Sequence, residues 1–86
     1  TAENPEGGYE AIMQLYIVDR LGIIADISRV LAEIKVPILS INSQKRGSRK
    51  AIINMKISCR NITHYDMIVD RLRSIHDVED VVRGFI

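Results

Sequence analysis

From Tyr9 onward the hydrophobic positions alternate: Tyr9, Ala11, Met13, Leu15 and Ile17 interleave with Glu10, Ile12, Gln14, Tyr16 and Val18. This is the period of a β-strand whose odd residues face a core. The even set is itself partly apolar, so the second face of that strand calls for a cover. At Asp19-Arg20-Leu21-Gly22 the period changes. Ile23, Ile24, Ile27, Val30, Leu31 and Ile34 share one face of a helix, with Asp26 near its start and Lys35 near its end complementing the helix dipole. Pro37, which has no N–H to donate, is expected to stop it. A second strand over residues 38–45 begins apolar and fades into Ser43, Gln44 and Lys45, the profile of an edge strand.

Residues 46–49 supply a turn into a third strand, where Ala51, Ile53, Met55 and Ile57 alternate with Ile52, Asn54, Lys56 and Ser58, so strands two and three form a hairpin. A second helix follows. Asn61 or Thr63 caps it, with Asp66 in capping-box register to Thr63, and its buried face is Tyr65, Ile68, Val69, Leu72 and Ile75. Residues 78–86, with Val81, Val82, Phe85 and Ile86, read as a last strand. The order strand, helix, strand, strand, helix, strand predicts an α+β ferredoxin-like βαββαβ sandwich. Right-handed crossovers put both helices on one face of an antiparallel sheet of order 4-1-3-2. Residues 1–8 contain no large apolar residue and read as a flexible linker, leaving 9–86 as one domain.

Composition narrows the function classes. An 86-residue chain that is 47% hydrophobic supports one small core, so partner domains or a second copy would add to a thin stability margin. A net charge of +1 provides no global attraction for nucleic acid or anionic membrane. The single Cys59 excludes an internal disulfide and any Cys-x-x-Cys site, and fits a reducing, cytoplasmic setting. No uncharged run approaches the roughly 18 residues of a membrane span. A sequence without an initiator Met is expected to be a piece of a larger protein.

Candidate chemistry concentrates at the first strand-to-helix turn. The opening N–H groups of a helix have no intrahelical partner, and the dipole adds partial positive charge there, which suits a carboxylate or phosphate. Gly22 lets the chain turn sharply and lets a small molecule approach the backbone. The second strand-to-helix connection, through residues 58–63, lacks such a glycine. Gly22 therefore marks a feature of the first half alone.

Rival chemistries find less. An RNA-recognition module shares the topology but stacks bases on aromatic residues of its central strands, where this chain has Ser48, Lys50 and Ile53. What remains of that reading is a basic hairpin, Lys45, Arg46, Arg49 and Lys50, as a possible contact for RNA, including ribosomal RNA, or phosphate. An acylphosphatase-like site would use Arg20 and Asn42, but Asp19 would repel its phosphate. His64 and His76 have no ligand spacing and read as surface residues, Cys59 as a small buried apolar residue, and Asp66, Asp70 and Arg71 as a solvated helix face. No catalytic group, metal or cofactor is expected.

The segment 19–27, Asp-Arg-Leu-Gly-Ile-Ile-Ala-Asp-Ile, followed by Ile41-Asn42 in the next strand, resembles an ACT domain over nearly the whole chain. With Arg-Leu before the glycine and Val-Glu-Asp-Val-Val-Arg at 78–83, it looks most like the C-terminal ACT domain of long RelA/SpoT-type guanosine tetra- and pentaphosphate synthetase/hydrolases of the stringent response. Uridylyltransferases of nitrogen control carry a similar Asp-Arg-x-Gly turn. The resemblance implies a non-catalytic regulatory module of a GTP pyrophosphokinase, contacting other domains of its parent enzyme and binding a small effector, commonly an amino acid and often at a homodimer interface. The expected site comprises Asp19, Arg20, Leu21, Gly22, Ile23, Ile24 and Asn42. Backbone N–H groups at 22–24 would take a carboxylate, the Asn42 amide would donate and accept, and Ile23 and Ile24 would suit an aliphatic group, which favours a branched-chain amino acid. Arg20 would pair with the carboxylate or face solvent.

Overall fold

The computed structural model describes residues 8–84. Except for Gly8, the expected linker lies outside them, as do Phe85 and Ile86 of the expected last strand. The first alternating run forms β1 (Tyr9–Val18), in which Ala11, Met13, Leu15 and Ile17 are buried and the residues between them half-buried. It is followed by α1 (Ile23–Glu33), β2 (Ile38–Arg46), β3 (Lys50–Cys59), α2 (Ile62–Arg73) and β4 (Val78–Gly84). The four strands pair antiparallel in the order β2-β3-β1-β4, the arrangement the alternation and crossover rules predict. None of the described helices is long and apolar enough to cross a membrane.

The core lies between the sheet and the two helices. Met13, Leu15 and Ile17 of β1 and Ile53, Met55 and Ile57 of β3 meet Ile27 and Leu31 of α1 and Ile68, Val69 and Leu72 of α2. Tyr65 is buried with them, and its hydroxyl finds a partner by donating to the Ile12 carbonyl (3.1 Å). β2 is different. Eight of its nine residues are exposed, so the outer strand stands clear of the helix layer with one edge unpaired in the sheet.

Three local details depart from the sequence reading. The buried line of α1 is Ile23, Ile27 and Leu31, whereas Ile24 is 41% exposed, because one residue further on is a rotation of about 100° away from that line. Pro37 is not what ends α1. Lys35 takes the left-handed conformation (φ 58°), its N–H bonding to the Ala32 carbonyl (3.1 Å) while the Val36 N–H reaches Leu31 (2.9 Å). These bonds form a Schellman stop, closed by Val36 packing into the core. The cap of α2 is Asn61 and not Thr63, which lies inside the helix. The Asn61 side chain accepts from the His64 N–H (2.8 Å), and the His64 ring Nδ1 accepts from the Arg60 N–H (2.9 Å), so one opening donor of the helix and the N–H just before the cap are both satisfied.

Candidate functional site

At the turn between β1 and α1, Gly22 adopts φ 88° and ψ −3°, a conformation that suits glycine because it lacks a Cβ. The first α-helical bond runs from the Asp26 N–H to the Gly22 carbonyl (2.9 Å), and the Ile23 N–H turns back to the Arg20 carbonyl (3.3 Å). The Ile24 and Ala25 N–H groups precede that first helical bond, in the part of a helix that has no intrahelical acceptor. Asp19, Arg20, Leu21, Gly22, Ile23, Ile24 and Ala25 line a surface cavity of about 460 Å³. Leu21 is fully exposed and Ile24 partly so, giving the polar backbone an apolar rim. Such a place can take a carboxylate on the amides and an aliphatic group on the rim.

The turn is held from outside its own segment. Arg20 donates through Nε to Asp77 Oδ2 (2.7 Å) and through Nη2 to Asp26 Oδ2 (2.8 Å) and the His76 carbonyl (3.1 Å), with a longer Nη1 contact to the Leu21 carbonyl (3.3 Å). The Arg20 hydrogen bond is the main cause that holds the Asp26 carboxyl below the usual carboxylate range, and the Asp26 hydrogen bond in turn raises Arg20. Arg29 adds a second contact to Asp26 (3.0 Å). Asp77 is itself left-handed (φ 71°), and its carbonyl receives the Val18 N–H (2.9 Å). On the other side the Asp19 N–H reaches the Arg49 carbonyl (2.7 Å) and the Asp19 carboxylate reaches Lys45 (3.2 Å). Arg20 thus positions the turn, with its guanidinium largely engaged by protein acceptors. Asp77, the partner that makes this possible, gave no local sequence signal, since it lies 57 residues further along the chain.

Six of the seven residues expected at the site come together around this turn, and Asn42 does not. Asn42 pairs in register with Asn54, which pairs with Gln14, on the sheet face opposite the core. There the Gln14 amide donates to Asn54 (2.9 Å) and the Asn54 amide to Asn42 (3.3 Å), a row of carboxamides across three strands. The cations of the hairpin are mostly occupied: Lys45 by Asp19, Lys50 by Glu79, and Arg46 by the Tyr16 ring, 5.5 Å from its centroid. Cys59 is buried, and burial pushes its thiol up. Desolvation, then the nearby Arg60 charge, holds His64 below the ordinary histidine value.

The family model described as the ACT domain matches residues 5–83. The chain is 30% identical to the GTP pyrophosphokinase of Haemophilus influenzae over 82 residues, covering 94% of this chain and 11% of that protein. It is 29% identical to the bifunctional (p)ppGpp synthase/hydrolase RelA of Mycobacterium tuberculosis, covering 95% of this chain and 11% of that one. It therefore spans about 11% of the length of these relatives. The crystal structure of the ACT domain from the GTP pyrophosphokinase of Chlorobium tepidum superposes with a TM-score of 0.76 at 21% identity, covering 90% of this chain and 99% of that one. The fold, the turn and the family match agree: the chain belongs to the ACT domain family and is similar to the ACT regions of GTP pyrophosphokinases.

Proposed function

We infer that this chain is the effector-sensing module of a cytoplasmic (p)ppGpp synthetase/hydrolase, itself without catalytic chemistry, and that it takes an amino acid at residues 19–25. The observation that carries this reading is the left-handed Gly22, which leaves the Ile24 and Ala25 amides ahead of the first helical bond beside the exposed Leu21 and Ile24 side chains. An α-carboxylate on those amides with a branched aliphatic side chain on the rim matches both halves of the site. Asn42, on the opposite sheet face of the same chain, joins such a site only across a contact between two copies. The unpaired β2 edge, with Leu39 and Ile41 exposed, supplies a surface for that contact.

Backbone amide spectra of the chain titrated with each of L-valine, L-leucine, L-isoleucine and a non-branched set test the reading. Saturable shifts at Gly22, Ile24 and Ala25 with the branched set are expected. Shifts confined to other regions, or absent for every amino acid, would remove the turn as an effector site. Sedimentation over a wide concentration range tests the copy-to-copy contact separately, where a monomer throughout would exclude Asn42 from the site.

A further inference from the structure

β1 and β3 pair Val18 with Lys50 at the effector-turn end of the sheet and Tyr9 with Cys59 at the other. A cavity of about 410 Å³ opens at that other end, where the close of α1 meets the β3–α2 junction. Its polar lining includes Lys35, Arg60 and His64, its apolar lining Ile34, Pro37 and Cys59, and among the described residues no carboxylate lines it. The volume is that of a small-molecule site.

Most cations of this protein are paired. Arg20, Arg29, Lys45, Lys50, Lys56, Arg71, Arg73 and Arg83 all face a carboxylate. Lys35 and Arg60, like Arg46 and Arg49 of the hairpin, make no ion pair among the described residues, and both line this cavity. The groove of about 500 Å³ at the hairpin offers a contrast, because there Glu79 lines the wall and pairs with Lys50, so an incoming anion would have to displace a resident one. His64 adds a neutral donor. Its Nδ1 already accepts from the Arg60 N–H, so the uncharged ring carries its proton on Nε2. The same bond fixes the imidazole beside the Arg60 backbone.

We propose that this cavity binds a phosphate monoester, the phosphate held between Lys35 and Arg60 with His64 Nε2–H as a third donor and the ester's carbon body against Ile34, Pro37 and Cys59. Two cations facing no acid match a group that carries a charge between about −1.5 and −2 near neutral pH. A carboxylate would leave one of them unmatched. Arginine supplies the fork geometry for phosphate oxygens and lysine a mobile point charge. The site is separate from the effector turn and stands whether or not an amino acid binds there.

The test uses the 86-residue chain with ribose 5-phosphate and inorganic phosphate as probes, at constant ionic strength in sodium chloride. Saturable amide shifts at Lys35, Arg60, Asn61 and His64 are expected, with the ester binding more tightly than the free ion. Arg60→Gln and Lys35→Asn should each weaken the ester about tenfold or more, the cost of roughly one charge-assisted hydrogen bond, while Arg60→Lys retains part of the affinity. Asparagine suits the left-handed backbone at position 35, so Lys35→Asn removes the charge without disturbing the end of α1. Thermal midpoints beside the parent chain verify the fold of each variant. Binding that never saturates, that shifts Arg46 and Arg49 as strongly as Arg60, or that survives both neutral substitutions would overturn the proposal. Equal affinity for the ester and the free ion would overturn the assignment to an ester.

Discussion

The two halves of the domain each run from a strand into a helix, and they secure that junction by opposite means. At the β3–α2 junction the work is local: Asn61 caps, His64 answers, and both partners lie within four residues. At the β1–α1 junction no side chain caps the helix. A left-handed glycine makes the turn, and Arg20 ties it to Asp26 on α1 and to Asp77 before β4. The Asn61 cap takes one opening amide of α2, that of His64. The clamp at the first junction holds the backbone from outside the helix, and the Ile24 and Ala25 amides precede its first helical bond beside the exposed Leu21.

Substitutions can break this contrast in order of expected effect. Gly22→Ala meets no clash, since the nearest atom to the added Cβ is Arg20 Nη1 at 3.8 Å, an ordinary contact distance, so its cost is the left-handed backbone alone. About 1–2 kcal/mol of stability should be lost in chemical denaturation. Gly22→Asp carries the same backbone cost, and in addition should abolish amino-acid binding by placing a carboxylate at the anion position. Retained binding in the folded fraction of both variants would reduce Gly22 to a turn residue.

Asn61→Ala should cost about 1 kcal/mol as a lost cap, whereas Thr63→Ala should stay within about 0.5 kcal/mol. Equal losses at the two positions would contradict the cap assignment. Arg20→Lys retains the charge but not the fork that reaches two carboxylates, so a smaller, salt-sensitive loss is expected, read by comparing midpoints at low and high sodium chloride. Asp77→Asn should reproduce it. The smallest effect is the response to acid. Asp26 is depressed in the folded state, so its contribution is present above the ordinary carboxylate range and disappears as pH falls through the folded value. His64 is depressed as well, so its contribution is present above about pH 6.5 and is lost as pH falls through its folded value. Side-chain NMR titration should find both groups changing charge at lower pH than in an unfolded peptide.

Periodicity made the fold legible, because strand and helix repeats in this chain scarcely overlap: Met13, Leu15 and Ile17 step by two where Ile23, Ile27 and Leu31 step by four. The position of the candidate turn was legible too, through Gly22. What holds it was not. Arg20 meets Asp77 only because the sheet brings the end of β1 beside the start of β4, a juxtaposition with no trace in the residues around either partner. Ile24 was misplaced for a simpler reason. An apolar residue at the edge of a helical stripe reads the same whether it is buried or left at a surface. The cap stayed open between Asn61 and Thr63 because the capping box was sought with an acidic partner, and here a histidine takes that role.

The place of β1 in the sheet also bears on how the chain acquires its structure. The first strand of the domain pairs with β3 on one side and with β4 on the other, Ile12 lying opposite Gly84. Closing that pairing means bringing together segments from nearly opposite ends of the sequence, which raises the entropic barrier relative to a fold of neighbouring hairpins. One side of β1 stays open until β4 pairs with it, so the four-stranded sheet is complete only when the last of its strands in chain order has joined.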